Sequence, residues 1–193
     1  TKPGTLHVSY CHSPMRYVWD HSHEYQKEYK NFAWLRWLYQ PFLHKIRMWD
    51  RLAAERVDVF LANSKYISRR IEKYYGRESE VIYPPVDLSY FQVSKGERSG
   101  YVAVGRLIPY KRFDLIVQLC TEKNIPLKVV GTGPELQRLK AMAGPSVEFL
   151  GLAPAEELRK AYQGAKALIF PQVEDFGIVP LEAMACGTPV LAF

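Results

Sequence analysis

The regular alternation of short apolar runs with longer segments of helical periodicity constrains the fold of this chain more than any other feature. Runs of four or five apolar residues are typical of buried parallel strands, and the helical segments between them can return the chain to the same edge of a sheet. The predicted strands of this series are Tyr101–Gly105, Leu127–Val130, Val147–Leu150, Ala167–Phe170 and Val190–Phe193, and the predicted helices are Arg112–Glu122, Pro134–Ala143, Glu156–Tyr162 and Val179–Ala185. The pattern predicts an α/β fold with a doubly wound parallel sheet, which binds ligands at the carboxyl ends of its strands.

Residues before this series show the same alternation with less regularity. The predicted strands are Leu6–Tyr10, Val57–Ala62 and Val81–Tyr83, and the predicted helices are 24–56, kinked near Pro41, and a segment that follows Asn63 and Ser64 and ends at Tyr75. Residues 86–99 show little periodicity and are interpreted as a linker. We therefore place a boundary near residue 95, between domains 1–94 and 95–193, and we expect both domains to be truncated, because strand-like runs stand at both ends.

Composition and charge narrow the functional classes. The three cysteines, Cys11, Cys120 and Cys186, form neither a disulfide framework nor a metal-binding spacing, which favours a reducing, cytoplasmic setting. No apolar run approaches the roughly 18 residues that cross a membrane. Residues 1–80 hold 14 basic and 9 acidic side chains and carry most of the positive charge. No nucleic-acid reader motif accompanies that charge, so we expect anionic lipid or a phosphorylated substrate rather than nucleic acid.

Two loops that follow predicted strands carry residues suited to phosphate. In the first, Gly105 lets the backbone approach a ligand, and Arg106 and Lys111 bring two cations to the start of the next helix, an arrangement that suits a diphosphate. The second contains Gly131 and Gly133, but it lacks the full dinucleotide-binding pattern and the lysine of a P-loop. Taken separately, a solvated basic turn explains the first loop as well as a binding loop does, and a tight turn explains the second better.

The segment after the predicted strand Ala167–Phe170 holds two glutamates eight positions apart, Glu174 and Glu182. Pro180 suits the first turn of a helix, which places Glu182 just inside that turn and Glu174 on the loop before it. The backbone amides of residues 176–178 would then lie at the helix N-terminus, where they could face an anion. A carboxylate accepts hydrogen bonds from vicinal hydroxyls, which sugars and riboses supply, although a lone glutamate more often caps or solvates its own helix.

Four segments, taken in order along the chain, resemble the motifs of one family. They are NSKYISRRIEKYYGRESEVIYPPVD, VAVGRLIPYKRFDLIV, VVGTGPE and FPQVEDFGIVPLEAMACGTPVLA. The last three are similar to the diphosphate loop, the glycine turn and the E-x7-E region of the group 1 glycosyltransferases (family 4). The resemblance covers residues 57–193 in order and the first twenty more loosely. It implies the GT-B fold of two Rossmann-like parallel-sheet domains and transfer with retention of the sugar's configuration.

The resemblance also implies roles for individual residues, first at the diphosphate of a sugar nucleotide. Arg106 and Lys111 would hold that diphosphate, beside the loops that contain Gly105, Gly131 and Gly133. Breaking a sugar–phosphate bond requires stabilisation of the departing diphosphate anion. Two cations and a helix N-terminus supply that stabilisation through preorganised electrostatics.

Further implied roles concern the transferred sugar and the nucleoside. Glu182 would hold the ribose, and Glu174 would lie at the transferred sugar. The nucleobase would lie along the segment containing Phe149 and Leu150, through main-chain contacts. A histidine near the reacting sugar often ends a strand of the acceptor domain; here that residue is His12, for which a packed or surface role stays open. Backbone amides would face the sugar and phosphate at Phe176, Gly177 and Ile178.

The resulting hypothesis is a hexosyltransferase that moves a sugar from a nucleotide donor to a glycan or lipid-linked acceptor in polysaccharide or glycoconjugate biosynthesis. GDP-mannose is the first choice of donor. No acidic pair with metal spacing is found in the sequence, so neither a metal nor another cofactor is predicted. Two alternatives stay open: another GT-B enzyme, such as a sugar-nucleotide epimerase or a phosphorylase, and a non-catalytic sugar-nucleotide-binding protein.

All the tryptophans lie in the first fifty residues of the chain. In the predicted helix 24–56, an apolar series recurs at helical spacing among basic residues: Trp34, Leu38, Phe42, Ile46, Trp49 and Ala53. Such a helix is typical of peripheral contact with anionic lipid, here at the inner face of the cell membrane. The alternative is a helix that packs on its own domain with its charges outward.

Overall fold

The computed structural model describes residues 2, 4–20 and 36–193, with the backbone alone at residues 36–39. The chain forms two compact units, residues 1–84 and residues 85–193. No helix in these described ranges is long and apolar enough to cross a membrane.

The first unit holds a three-stranded parallel sheet in the order β1–β2–β3. Its elements in chain order are strand β1 (Val8–Cys11), helix α1 (Arg16–Trp19), helix α2 (Arg36–Ala54), strand β2 (Val59–Ala62), helix α3 (Lys65–Tyr75) and strand β3 (Glu80–Val81). The Ser64 hydroxyl caps α3 by accepting a 3.1 Å hydrogen bond from the Ile67 amide, and Gly76 ends the helix in the left-handed conformation.

The core of the first unit lies on one face of this sheet. Phe60 and Ala62 of β2 pack against α3 through Ile67 and Ile71. On the opposite face, Val8 and its register partner Val59 are 47% and 39% exposed. Successive residues of a strand point to opposite faces, so the buried and exposed residues of β2 alternate as the pleat requires.

Helix α2 buries a face that lies beside the apolar series identified in the sequence. Leu43, Asp50 and Ala54 are buried, whereas Phe42 and Trp49 are each 59% exposed. The buried series is therefore offset by one residue, about 100° around the helix, from the predicted apolar series. Phe42 and Trp49 of that series are therefore not used in the core, and the predicted lipid contact of this helix stays a prediction. Residues 24–35, with Trp34, lie outside the described residues, and Pro41 lies inside α2.

The second unit holds a five-stranded, wholly parallel sheet in the order β6–β5–β4–β7–β8. Its elements are strand β4 (Tyr101–Val104), a 3₁₀ turn (Pro109–Lys111), helix α4 (Phe113–Glu122), strand β5 (Leu127–Val130), helix α5 (Leu136–Met142), strand β6 (Val147–Gly151), helix α6 (Ala155–Gly164), strand β7 (Ala167–Phe170), helix α7 (Ile178–Ala185) and strand β8 (Val190–Ala192). Each strand predicted from the sequence is present, with ends displaced by at most two residues, and so are the helices that follow residue 64.

Two apolar cores cover the two faces of the second sheet. Val102 and Val104 of β4 face α6 and α7 in one cluster, and Ala103 faces α4 and α5 in the other. Burial on both faces is the usual state of a parallel sheet, and it explains why its strands are continuous apolar runs.

The compact units divide about ten residues before the boundary predicted near residue 95. Within residues 85–94, Phe91 packs against the core of the second unit, and the Arg159 guanidinium lies 4.6 Å from the centroid of the Tyr90 ring. These contacts explain why much of the predicted linker belongs to the second unit.

Candidate functional site

Three loops that carry predicted site residues leave the same edge of the second sheet. They begin at Gly105 after β4, at Gly131 after β5 and at Pro171 after β7. All the strands of this sheet run parallel, so their carboxyl ends share one edge. Ligands of doubly wound sheets bind at that edge.

The loops after β4 and β5 pack backbone against backbone. A Cβ atom placed on Gly131 would overlap the Gly105 carbonyl oxygen, and one placed on Gly133 would overlap the Leu107 carbonyl oxygen. The Leu107 amide also donates a 2.8 Å hydrogen bond to the Thr132 carbonyl. Close packing between the two loops therefore accounts for both glycines, and their contact with a ligand stays a prediction.

Gly105 lies against the Lys111 side chain of its own loop. A Cβ atom at this position would lie 3.4 Å from Lys111 Nζ and 3.4 Å from the Phe113 ring. A Cβ atom would thus be in close but ordinary contact with these side chains. The backbone φ of 154° favours glycine here, in addition to the predicted approach of a ligand.

Lys111 and Glu174 form an ion pair at this edge. The Lys111 Nζ lies 2.8 Å from Glu174 Oε1, with 15% and 24% of the two side chains exposed. Lys111 ends the 3₁₀ turn, which Arg112 closes in the left-handed conformation at φ 54°. Arg106 of the same loop is exposed. The structure therefore brings together one predicted cation and one predicted carboxylate that are far apart in the sequence.

Glu182 makes a different contact from Glu174. Its Oε2 accepts a 2.9 Å hydrogen bond from the phenol of Tyr162 on α6. Burial raises the pKa of Glu182, and the hydrogen bond from Tyr162 lowers it. Helix α7 begins at Ile178, so Glu182 lies in its second turn rather than just inside the first, as the sequence analysis placed it.

The N-terminus of α7 supplies the predicted backbone amides. Gly177 caps the helix at φ 83°, a left-handed conformation that favours glycine, and Ile178 is the first helical residue. Phe176 precedes this cap. The first amides of a helix have no partner within it and carry partial positive charge, so this end suits an anion.

The predicted nucleobase segment forms one edge of the described sheet. Strand β6 pairs with β5, and its Phe149 and Leu150 side chains pack against cores on opposite faces of the sheet. Both side chains are thus used in packing. A nucleobase at this strand would meet the main chain, in line with the main-chain contacts that the resemblance implies, and this role stays a prediction.

His12 belongs to the first unit, where two buried polar side chains hold its loop. The Asn63 amide donates a 3.1 Å hydrogen bond to the His12 carbonyl, and Arg70 donates a 2.9 Å hydrogen bond to the Ser13 hydroxyl. The His12 ring is exposed and packs edge-on against Tyr10 at a centroid distance of 5.2 Å. Side-chain hydrogen bonds therefore fix the backbone at His12, and the catalytic role of His12 stays a prediction.

A second polar group, on α2, holds residues 13–20 from their other end. The Asp50 carboxylate on α2 accepts hydrogen bonds from Trp19 Nε1 at 2.8 Å and from the Tyr75 phenol at 2.9 Å. Burial, followed by the hydrogen bond to Asp50, raises the pKa of Tyr75. Arg70 also forms an ion pair with Asp20. Residues 13–20 are therefore fixed at both ends.

Sequence reasoning missed Tyr162, Asn63 and Arg70 as residues that support the sites. The Tyr162 position continues the apolar face of α6, so periodicity identifies a core residue and says nothing about its hydroxyl. Asn63 and Ser64 were both candidate helix caps, and Ser64 takes that role. In the described part of the chain, no group of three or more His, Cys, Asp or Glu side chains could hold a metal ion. Metal independence remains a prediction.

Comparisons with known proteins give the same family for both units. The profile described as "Glycosyl transferases group 1" matches residues 91–193, and the profile described as "Glycosyltransferase Family 4" matches residues 2–90. Together they cover both compact units.

Similar proteins include a curated bacterial enzyme. The chain is 32% identical over 167 residues to the "GDP-mannose-dependent alpha-(1-6)-phosphatidylinositol monomannoside mannosyltransferase" of Mycolicibacterium smegmatis, with 70% of this chain and 44% of that protein covered. The chain therefore spans less than half of that relative's length.

Solved structures support the fold. Sucrose-phosphate synthase from Thermosynechococcus elongatus matches with a TM-score of 0.66 and 24% identity over 77% of this chain and 44% of that one. Anabaena HepE in complex with UDP and glucose matches with a TM-score of 0.65 and 20% identity over 74% and 47%. These similarities confirm the predicted α/β, GT-B type of fold. Since the first profile alone matches more than half of the chain, this protein belongs to the group 1 glycosyltransferases.

Proposed function

We propose that this protein transfers a hexose from a nucleoside-diphosphate sugar to a glycan or lipid-linked acceptor, with retention of configuration. The observation that carries the proposal is the contact between Lys111 and Glu174 at the carboxyl edge of the second sheet. A cation for a diphosphate and a carboxylate for sugar hydroxyls are thus adjacent, as transfer from a sugar nucleotide requires.

The proposed reaction exchanges one bond at the anomeric carbon. The bond between that carbon and the diphosphate oxygen breaks, and its electron pair leaves with the diphosphate. The acceptor oxygen forms the new bond, and its proton passes to the diphosphate or to water. Lys111, Arg106 and the amides at the start of α7 stabilise the negative charge that grows on the leaving group.

The two glutamates divide the recognition of the donor. Glu174 accepts hydrogen bonds from hydroxyls of the transferred sugar, and Glu182 accepts them from the ribose. Each hydrogen bond to a charged acceptor contributes about 1.5–3 kcal/mol. The proposed reaction needs no metal, since Lys111, Arg106 and the N-terminus of α7 stabilise the negative charge of the leaving diphosphate.

GDP-mannose is the first donor to test, because the Mycolicibacterium relative is named a GDP-mannose-dependent mannosyltransferase. A UDP-sugar is the second, because Anabaena HepE is described in complex with UDP and glucose. The name of the first relative also contains a phosphatidylinositol mannoside, which makes a lipid-linked acceptor a candidate here.

The exposed face of α2 supports a peripheral membrane contact, which we propose lies on the cytoplasmic side. Phe42, Trp49 and Leu52 are more than half exposed, and Lys45 and Arg51 lie exposed beside them. Apolar side chains with adjacent cations match an anionic lipid surface. The Phe42→Ser/Trp49→Ser double variant should lose cosedimentation with phosphatidylglycerol vesicles, whereas binding equal to that of the wild type would remove this part of the proposal.

The function is tested by donor binding and product formation in the full-length protein. A thermal-shift panel of GDP-, UDP- and ADP-sugars identifies the donor, because a ligand that binds the folded state raises its melting temperature as concentration exceeds Kd. Mass spectrometry then follows transfer to lipid and glycan acceptors, with and without EDTA. Binding without transfer or hydrolysis would favour the non-catalytic alternative, and loss of activity in EDTA would contradict metal independence.

A further inference from the structure

The side chain that touches Glu182 is a tyrosine from the core. Tyr162 is fully buried, and its ring lies in the apolar cluster between α6, α7 and the sheet, with Phe91 at a centroid distance of 6.2 Å. Its phenol donates to Glu182 Oε2 at 2.9 Å. Because core side chains are close-packed, the ring cannot turn away without opening the core. The phenol is therefore a fixed donor.

Two further side chains fix the backbone that carries Tyr162. The Thr188 hydroxyl donates to the Tyr162 carbonyl at 2.6 Å. The Arg98 guanidinium donates to the Thr188 hydroxyl at 2.5 Å and to the Cys186 carbonyl at 2.7 Å. The segment before β4 thus ties the end of α6 to the end of α7. The two helices that carry Tyr162 and Glu182 are held together beside the hydrogen bond.

Among the described titratable groups around Glu182, this tyrosine is the one that keeps the pKa of the glutamate down. Burial raises the pKa of Glu182, and among the described residues the hydrogen bond from Tyr162 is the influence that lowers it. Cys186 is the next titratable neighbour; burial raises the pKa of its thiol, Arg98 and Arg159 lower it, and Glu182 raises it. Both arginines act on the thiol and neither forms an ion pair with Glu182 in the described part of the chain.

The tyrosine itself stays a donor at neutral pH. Burial and the negative charge of Glu182 raise its pKa far above the usual range. An ionised carboxylate has about four acceptor positions, of which the phenol occupies one. Enough positions remain for two further hydroxyl donors.

We propose that Tyr162 is a positioning residue for nucleoside binding, whose phenol holds the Glu182 carboxylate in the orientation and the ionised form that accept hydrogen bonds from the vicinal hydroxyls of a ribose. This inference rests on the proposed function, since it takes Glu182 as the ribose-binding residue. It adds a buried residue that would not touch the ligand but would set how tightly the ligand binds and over what pH range.

The test removes the phenol oxygen and measures nucleotide affinity against pH. Calorimetric titration of full-length wild type and Tyr162→Phe, from pH 5 to pH 8, would use whichever of GDP, UDP and ADP binds the wild type most tightly. We expect Kd to rise roughly tenfold in the variant at pH 7, from the loss of one hydrogen bond to a charged group. Without its donor Glu182 protonates more readily, so the pH below which affinity falls should move upward. The 2′-deoxy nucleotide should show a smaller difference between the two proteins.

Ser146→Ala is the matched control. It removes one hydrogen bond within the same unit, from the Ser146 hydroxyl to the Cys120 carbonyl at 3.0 Å, lowers stability by a similar amount and leaves the phenol of Tyr162 on Glu182. Its Kd and its pH profile should equal those of the wild type. Equal changes in both variants would show a merely structural role and overturn the inference, as would an unchanged pH profile in Tyr162→Phe. Should Tyr162→Phe fail to fold, the Glu182→Asp variant replaces it. The shorter aspartate keeps a carboxylate at this position but withdraws it from hydrogen-bonding distance of the Tyr162 phenol.

Glu182→Gln separates this inference from the proposed function. If the glutamine variant binds the nucleotide as the wild type does, or if no nucleoside diphosphate binds at all, the proposed ribose site itself is wrong. If Glu182→Gln weakens binding but Tyr162→Phe does not, the ribose site stands and the positioning role fails. In the double variant, Tyr162→Phe should add little to the effect of Glu182→Gln, because both act through one interaction.

Discussion

The loop after β1 and the loop after β4 both follow the carboxyl end of a parallel strand, yet different contacts hold them in place. The loop after β4 lies backbone against backbone on the glycine turn, where Gly131 and Gly133 admit the Gly105 and Leu107 carbonyls. The loop after β1 is held by side chains that reach it from α3 and from the residue after β2, through Arg70 and Asn63.

This difference shows two ways to present a functional residue. Where the backbone itself is packed, the side chains of the loop are released for other contacts, and Lys111 pairs with Glu174 while Arg106 is exposed. Where side chains hold the loop, a few buried polar atoms determine its conformation. The first arrangement should be sensitive to any added Cβ atom and the second to the loss of single hydrogen bonds.

The largest expected effect is that of Gly131→Ala. The new Cβ atom would overlap the Gly105 carbonyl oxygen at a backbone φ of 139°, so the two loops would have to separate. We expect a loss of about 3 kcal/mol or more in the free energy of unfolding, measured by urea denaturation. Gly164→Ala is the control, because an added Cβ atom there meets no atom within 4 Å. Similar stability of the two variants would contradict the backbone packing.

Lys111→Met should come next, with an effect on rate rather than on folding. Removing one preorganised cation from a leaving diphosphate lowers kcat by roughly 100-fold. Steady-state kinetics with the identified donor would measure it. Arg112→Met removes the neighbouring cation, which pairs with Asp114, and should keep the kcat of the wild type. A kcat for Lys111→Met within about twofold of wild type would show that this loop does not act on the diphosphate.

Arg70→Met tests the loop that side chains hold. The variant removes the ion pair with Asp20 and the hydrogen bond to Ser13, so we expect a loss of about 2 kcal/mol in the stability of the first unit. Transfer should slow while nucleotide affinity, which we assign to the second unit, stays constant. Arg69→Met is the exposed neighbour for comparison. Unchanged melting temperatures would mean that the loop after β1 does not depend on Arg70.

The smallest expected effect is that of Glu182→Gln, which changes how the stability of the second unit depends on pH. Because burial raises the pKa of Glu182, the folded protein retains this proton more strongly than the unfolded chain, and stability falls as pH rises through the folded-state pKa. Glu182→Gln should therefore stabilise the protein at pH 7 and not at pH 4. The gain should stay below about 1 kcal/mol, because the side chain keeps part of its water. Melting curves at both pH values measure it, with exposed Glu148→Gln as the control.

The parts of the fold that periodicity describes could be predicted from the sequence. The strands of the second unit are buried on both faces, so continuous apolar runs marked them within two residues. That Lys111 and Glu174 lie at one edge followed from the rule that parallel strands end together, whereas their direct ion pair was not predicted. In α2 periodicity did not identify the buried face, since apolar residues occur on several sides of the helix: Leu43 is buried, whereas Phe42, Met48 and Trp49 are exposed.

The supporting residues could not be predicted, because their roles depend on tertiary distances. Tyr162 follows the apolar face of α6, and only the packing of α6 against α7 places its phenol on Glu182. Arg98 lies in a stretch interpreted as a linker, yet it bonds to the carbonyls of Ala165 and Cys186. In both cases a polar atom pairs with a residue that is distant in the sequence, and no local sequence pattern predicts such a contact.

The ion pair between Lys111 and Glu174 sets a charge threshold on what the second unit can admit. A carboxylate already neutralises the ammonium, so an incoming anion gains only the difference between its own attraction and that of Glu174. Chloride or acetate brings one negative charge, as Glu174 does, so its attraction to Lys111 only replaces that of Glu174. A diphosphate brings more than one charge, spread over several oxygens, and can engage Lys111 and Arg106 together. The second unit therefore carries a carboxylate that competes with monovalent anions for Lys111.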